Sequence, residues 1–134
     1  DRLGMERVGD GYVWRNLIDL GVVIAGGSDA PVEIGDPRIE FYAAVARKDL
    51  DGFYDKGWHL EQAVSRLEAL KMFTVWPAFA AFQEDEKGTV EVGKLADLTV
   101  FSNDIMTIPS EEILNAEIVM TVVNGKIVFQ REPS

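Results

Sequence analysis

Cysteine is absent from the 134 residues, which removes disulfides, Cys-ligated zinc and thiol nucleophiles together and fits a reducing compartment, so a cytoplasmic protein is expected. Long apolar runs are missing as well. The longest, such as residues 22–25, fall far short of the roughly 20 residues of a membrane span, and no membrane partner is expected. No apolar segment follows Asp1 and Arg2 in the manner of a signal peptide. A first residue other than Met makes a fragment or a processed product the expectation. Basic charge is scarce: 13 Lys and Arg stand against 23 Asp and Glu, for a net charge of −10. No Lys/Arg-rich stretch interrupts that balance, so contact with nucleic acid phosphates would be repulsive and no nucleic acid partner is expected. The acidic surplus reads as a solvated surface. Histidine occurs once, at His59. What remains is 47% hydrophobic, enough apolar material for the core of one ordinary domain.

Val13, Trp14, Leu17 and Ile18 recur at helical spacing, and Gly21 stops that helix where a glycine is favoured. Residues 22–25 are then apolar without alternation, the pattern of a strand buried on both faces of a parallel sheet. Gly26-Gly27-Ser28-Asp29-Ala30-Pro31 ends it in a loop. Asp36 before Pro37 predicts an N-cap with proline at the first helical position, opening a largely buried helix that runs to about Arg47. Residues 48–59 read as a loop. Leu60, Ala63, Val64, Leu67 and Leu70 predict an amphipathic helix, and Pro77 a short one over 78–82. After Gly88 the pattern turns to β, with short strands expected at Val90 and Val92, at 98–101, at 118–123 and at 127–129. Asn124-Gly125 between the last two predicts a two-residue hairpin turn of type I′.

Two motifs in this order resemble the amidohydrolase superfamily, in the branch that includes N-substituted formamide deformylase. Val22-Val23-Ile24-Ala25-Gly26-Gly27-Ser28-Asp29-Ala30-Pro31-Val32-Glu33 is similar to that family's last barrel strand with its terminal Ser-Asp-x-Pro. Gly88-Thr89-Val90-Glu91-Val92-Gly93-Lys94-Leu95-Ala96-Asp97-Leu98 is similar to the family's entry into its C-terminal β-sandwich. The resemblance implies an α/β chain: the last strand, about 22–28, and the helices of a metal-dependent (β/α)₈ TIM barrel over residues 1–87, then part of a small composite β-sandwich over 88–134. A whole barrel takes roughly 250 residues, so the family's His-x-His and its other metal-ligating positions would lie outside this sequence. A divalent metal, zinc foremost, is implied for the complete enzyme, with a small amide or formamide as substrate. No stoichiometric metal is expected on this chain alone, because one ligand cannot make a site of about three protein ligands.

Asp29 is the candidate catalytic and metal-binding residue. It stands just past the C-terminal end of the expected strand, the end at which barrel enzymes place their chemistry, and the matching aspartate of the family contacts the metal and acts as general base. From the residues alone, an aspartate fixing the turn before Pro31 explains the position as well. His59 has no second ligand at metal spacing and reads as a surface or capping residue. Asp97 reads as a turn-fixing residue. Glu33 and Arg38 stand where they would border a substrate pocket or simply be solvated. Trp14, Trp58 and Trp76 read as packing residues. Gly26 and Gly27 lack any companion phosphate-binding pattern. An unpartnered apolar strand would pair with a second copy, so a homo-oligomer is expected. The rival reading is a non-catalytic module or fragment whose only activity is self-association.

Overall fold

The computed structural model describes residues 4–51 and 56–132. In order, the elements are α1 (Gly4–Val8), α2 (Trp14–Asp19), α3 (Pro37–Ala46), a 3₁₀ turn (Leu60–Gln62), α4 (Arg66–Met72), α5 (Val75–Ala80), β1 (Leu98–Phe101), a second 3₁₀ segment (Ser110–Asn115), β2 (Ile118–Val123) and β3 (Lys126–Gln130). The expected α/β character is present, with helices first and a small antiparallel sheet last.

α2 ends where its sequence predicts: Gly21 donates to the Ile18 carbonyl at 2.8 Å and Val22 to that of Leu17 at 3.0 Å, the paired bonds of a Schellman stop. Its first turn lacks a side-chain cap of its own. Gln62 supplies one from 46 residues away, its Oε1 accepting from the Asn16 backbone at 3.2 Å while its amide donates to Asn16 Oδ1. α3 opens at Asp36, whose carboxylate accepts from the Arg38 backbone, and it buries Phe41, Tyr42, Ala44 and Ala46. These four, with Val64, Ala69, Met72 and Ile113, form the core. The core is thin, because three of its eight members are alanines and only Ile113 among large side chains is wholly enclosed.

Several expectations need correction. The single helix over 60–70 is divided: Leu60–Gln62 is 3₁₀, Ala63 is extended, and α4 starts afresh after Ser65. Ser65 and Glu68 form a reciprocal capping box, and a Ser-x-x-Glu pattern competes successfully with a continuous apolar stripe because it satisfies the free N–H groups of a new helix start. The short helix begins at Val75 rather than beyond Pro77, which occupies its first turn, where a missing N–H costs nothing. Val90 and Val92 form no strand among the described residues and are fully exposed. Lys94 organises that stretch as a loop, its ammonium donating to the Glu84 carbonyl and to Thr89 Oγ1, both at 2.7 Å. Residues 22–28 form neither helix nor strand and belong to no ladder, and Val22 and Val23 are 44% and 42% exposed rather than buried. A parallel strand needs neighbours on each side to satisfy its backbone, and none is present among the described residues. Within the expected 48–59 loop, residues 52–55 lie outside the described residues, as do 133–134 at the end of the β unit.

The sheet has the order β1-β2-β3, antiparallel throughout. Leu98 pairs with Val122 and Val123 with Lys126. Asn124 and Gly125 have φ of 49° and 73°, as a type I′ turn requires. Asp97 binds that turn from a distance, its carboxylate accepting from the Asn124 backbone at 2.7 Å. Its anchoring role is thus of the expected kind, but across 27 residues rather than within its own turn.

Candidate functional site

Asp29 follows this segment at the head of a tight loop. The Val32 N–H donates to the Asp29 carbonyl at 2.9 Å, and the Glu33 N–H to that of Ser28 at 3.3 Å. The Ala30–Pro31 peptide is cis, the arrangement of a type VI turn. Asp29 itself is left-handed, with φ of 50°, an uncommon state for a residue with a side chain. Backbone groups close this turn, and the Asp29 carboxylate takes no part: it is exposed and meets no hydrogen-bond donor among the described residues. Capping the turn therefore does not account for the side chain.

The other polar candidates are engaged elsewhere. Arg38 donates through Nε to Asp36 Oδ1 at 2.9 Å and through Nη1 to the Ala116 carbonyl at 2.9 Å. This pairing holds the Asp36 carboxyl below its ordinary range, through the Arg38 hydrogen bonds first. Arg38 thus joins α3 to the start of β2. Glu33 is exposed in the Asp29 loop. His59 Nδ1 lies 2.7 Å from Glu61 Oε1, and its ring meets the Trp58 ring edge-on at 4.6 Å. The contact holds the Glu61 carboxyl low. Trp14 and Trp58 pack as expected, each against the buried Arg47 guanidinium, at 4.5 and 4.8 Å. Burial lowers the Arg47 pKa, and the two rings partly replace lost water.

An open groove of about 920 Å³ runs between the helices and the sheet, walled by Phe41, Leu70, Phe73, Leu98 and Phe101. Asp29 does not line it. Among the described residues no group of three or more His, Cys, Asp or Glu is placed to hold a metal ion. Asp29 can give a hard oxygen donor to a divalent cation, but the donor set among the described residues is incomplete. No helix among the described residues is long and apolar enough to cross a membrane.

Sequence patterns did not single out the frame on which the Asp29 loop rests. Arg15 forks onto Glu68, Nη1 to Oε2 at 2.7 Å and Nη2 to Oε1 at 2.9 Å, tying α2 to α4. Arg66 donates to the carbonyls of Ile105 and Ile108, tying α4 to the loop before the second 3₁₀ segment. The Met72 carbonyl at the end of α4 accepts from the Gly26 N–H at 2.8 Å. The Ser65-x-x-Glu68 spacing was the available signal for this helix; the pairing with Arg15 had none.

The chain is 35% identical over 131 residues to the putative amidohydrolase YtcJ of Bacillus subtilis, covering 98% of this chain and 25% of that protein. It is 32% identical to the N-substituted formamide deformylase of Arthrobacter pascens, over 90% of this chain and 22% of the other. A crystal structure of an amidohydrolase from Thermotoga maritima superposes with a TM-score of 0.67 at 25% identity, covering 90% of this chain and 26% of that one. The chain thus spans about a quarter of the length of the relatives it matches. A family model described as the amidohydrolase family matches residues 1–129. By that match over nearly its whole length, the chain belongs to the amidohydrolase family.

Proposed function

We propose that this chain forms the C-terminal part of a metal-dependent amidohydrolase that cleaves non-peptide C–N bonds, in linear amides or formamides. In this reading residues 22–28 are the last strand of a (β/α)₈ barrel, and 88–132 contribute to a small β-sandwich. The observation that carries the proposal is the Asp29 carboxylate: exposed, unclaimed by any described donor, and held by a left-handed backbone at the head of a tight turn. Its neighbours in the relatives include a formamide deformylase, which supports the choice of bond.

A divalent ion, zinc foremost, would supply Lewis acidity at the carbonyl and lower the pKa of water toward about 7. Asp29 would be one of its ligands. The remaining ligands would come from polypeptide beyond these residues. Asp29 takes the proton from the attacking water as the C–O bond forms, and returns it to the nitrogen as the C–N bond breaks. Glu33 shares the loop, is exposed and would border the substrate in this reading, whereas Arg38 is committed to Asp36 and Ala116.

The test is turnover. The complete polypeptide carrying this chain, assayed on a panel of N-substituted formamides and linear amides, releases amine and carboxylate in equal amounts. The 134-residue chain alone does not. Release by the isolated chain at the rate of the complete polypeptide would contradict the divided site, and a complete polypeptide inert on the whole panel would remove the substrate class.

A further inference from the structure

Gly26 stands three residues before Asp29, where the chain leading to it meets the end of α4. Besides its bond to the Met72 carbonyl, it meets a wall. A Cβ added at Gly26 would lie 3.1 Å from Phe73 Cε1 and Cζ and 3.3 Å from Met72 Cβ. Carbon atoms at ease keep about 3.5 to 4.0 Å. The backbone of Gly26 is not left-handed, so an alanine could adopt its conformation, and what excludes a side chain is space. Gly27 differs: a Cβ there would meet nothing within 4 Å.

The wall is poorly able to retreat. Met72 is 4% exposed, and Phe73 packs against the core cluster. α4 itself is braced at its start by the Ser65–Glu68 box, the Arg15 fork and Arg66. We propose that Gly26 and Phe73 form a positioning contact that sets where Asp29 stands, with the end of α4 as the template on which the segment leading to Asp29 is laid. The inference rests on the reading of Asp29 as the base. Neighbouring strands of a barrel would fix this segment within the sheet, while the aromatic ring fixes its distance from the helix layer. A push at Gly26 is passed along three residues of chain, a span of at most about 10 Å, to Asp29. Misplacement of a reacting group by about 1 Å can cost about 10² in rate, so a displacement of a few tenths of an ångström is expected to be felt as about tenfold.

The test is made in the complete enzyme, with Gly26→Ala, Phe73→Leu, the double variant and Asp29→Asn. Gly26→Ala lowers kcat per folded enzyme about tenfold with KM within about twofold. A loss of folded protein alone would leave kcat per folded enzyme in place. Leucine removes the ring edge, so the double variant returns to within about threefold of Phe73→Leu. If Gly26→Ala alone does not fold, the double variant still decides the matter, since it is expected to fold and turn over like Phe73→Leu. A Gly26→Ala enzyme with normal kcat overturns the proposal, and so does a double variant that is inactive. A silent Asp29→Asn removes the base reading itself; an inactive Asp29→Asn beside a normal Gly26→Ala removes only the positioning.

Discussion

Asp29 and Glu68 are both carboxylates, but only Glu68 is held by donors. It accepts both arms of the Arg15 fork, and Ser65 adds its backbone N–H and hydroxyl at 2.8 and 2.7 Å. These bonds, Arg15 first, bring its pKa from 4.5 to about 2. A carboxylate whose pKa is lowered on folding stabilises the native state fully above its unfolded value, and that stabilisation is lost as pH falls through the folded value. Thermal melts should therefore show stability declining between about pH 4.5 and pH 2. Glu68→Gln should lower the melting temperature at pH 7 and flatten the acid decline; an unchanged slope would show that Glu68 is not the group responsible. Asp36, Glu61 and Glu91 are lowered as well, so some acid sensitivity persists in the variant. Asp29, by contrast, is exposed and meets no donor among the described residues.

At the scale of elements, signals confined to a few adjacent residues were legible and those resting on distant partners were not. The Asn124-Gly125 turn, the Asp36-Pro37 helix start and the Gly21 stop each follow from local backbone chemistry, and each stands as the sequence predicts. The division before α4 was legible too, in Ser65-x-x-Glu68, but the apolar stripe over 60–70 masked it. By contrast, the strand expected at 22–25 depends on neighbours supplied by other strands, and periodicity cannot say whether they are present. The support of the hairpin by Asp97 was half legible: the residue type announced a backbone anchor, while its partner lay 27 residues away. Asp97→Ala should speed hydrogen exchange at the Asn124 amide at least about tenfold, the effect of losing one net hydrogen bond of about 1.4 kcal/mol. Turnover of the complete enzyme should stay within about threefold. Unaltered exchange at Asn124 would mean that the hairpin closes without Asp97.

For the whole molecule, the thin core and the wide apolar surface belong together. Phe82 is 91% exposed, β3 is exposed along its length, and the groove between helices and sheet is open. Contiguous apolar surface of this kind marks faces that other polypeptide covers. The isolated 134-residue chain is therefore expected to self-associate in light scattering at low micromolar concentration, and to bind no stoichiometric zinc in metal analysis of tag-free protein. A compact monomer holding one zinc through Asp29 would reverse both expectations. The Gly-Ser-Asp loop was readable because its chemistry is written in consecutive residues. On the proposed reading its mates would not be, because a shared site would distribute its ligands over other strands of the barrel. The central claim, that Asp29 is the proton carrier, is tested most directly by kcat of Asp29→Asn in the complete enzyme, measured beside His59→Ala. The expected loss is about 10² to 10⁴ in kcat with KM changed little, while His59→Ala stays within about threefold. An Asp29→Asn enzyme with near-normal turnover and full metal content would contradict the account.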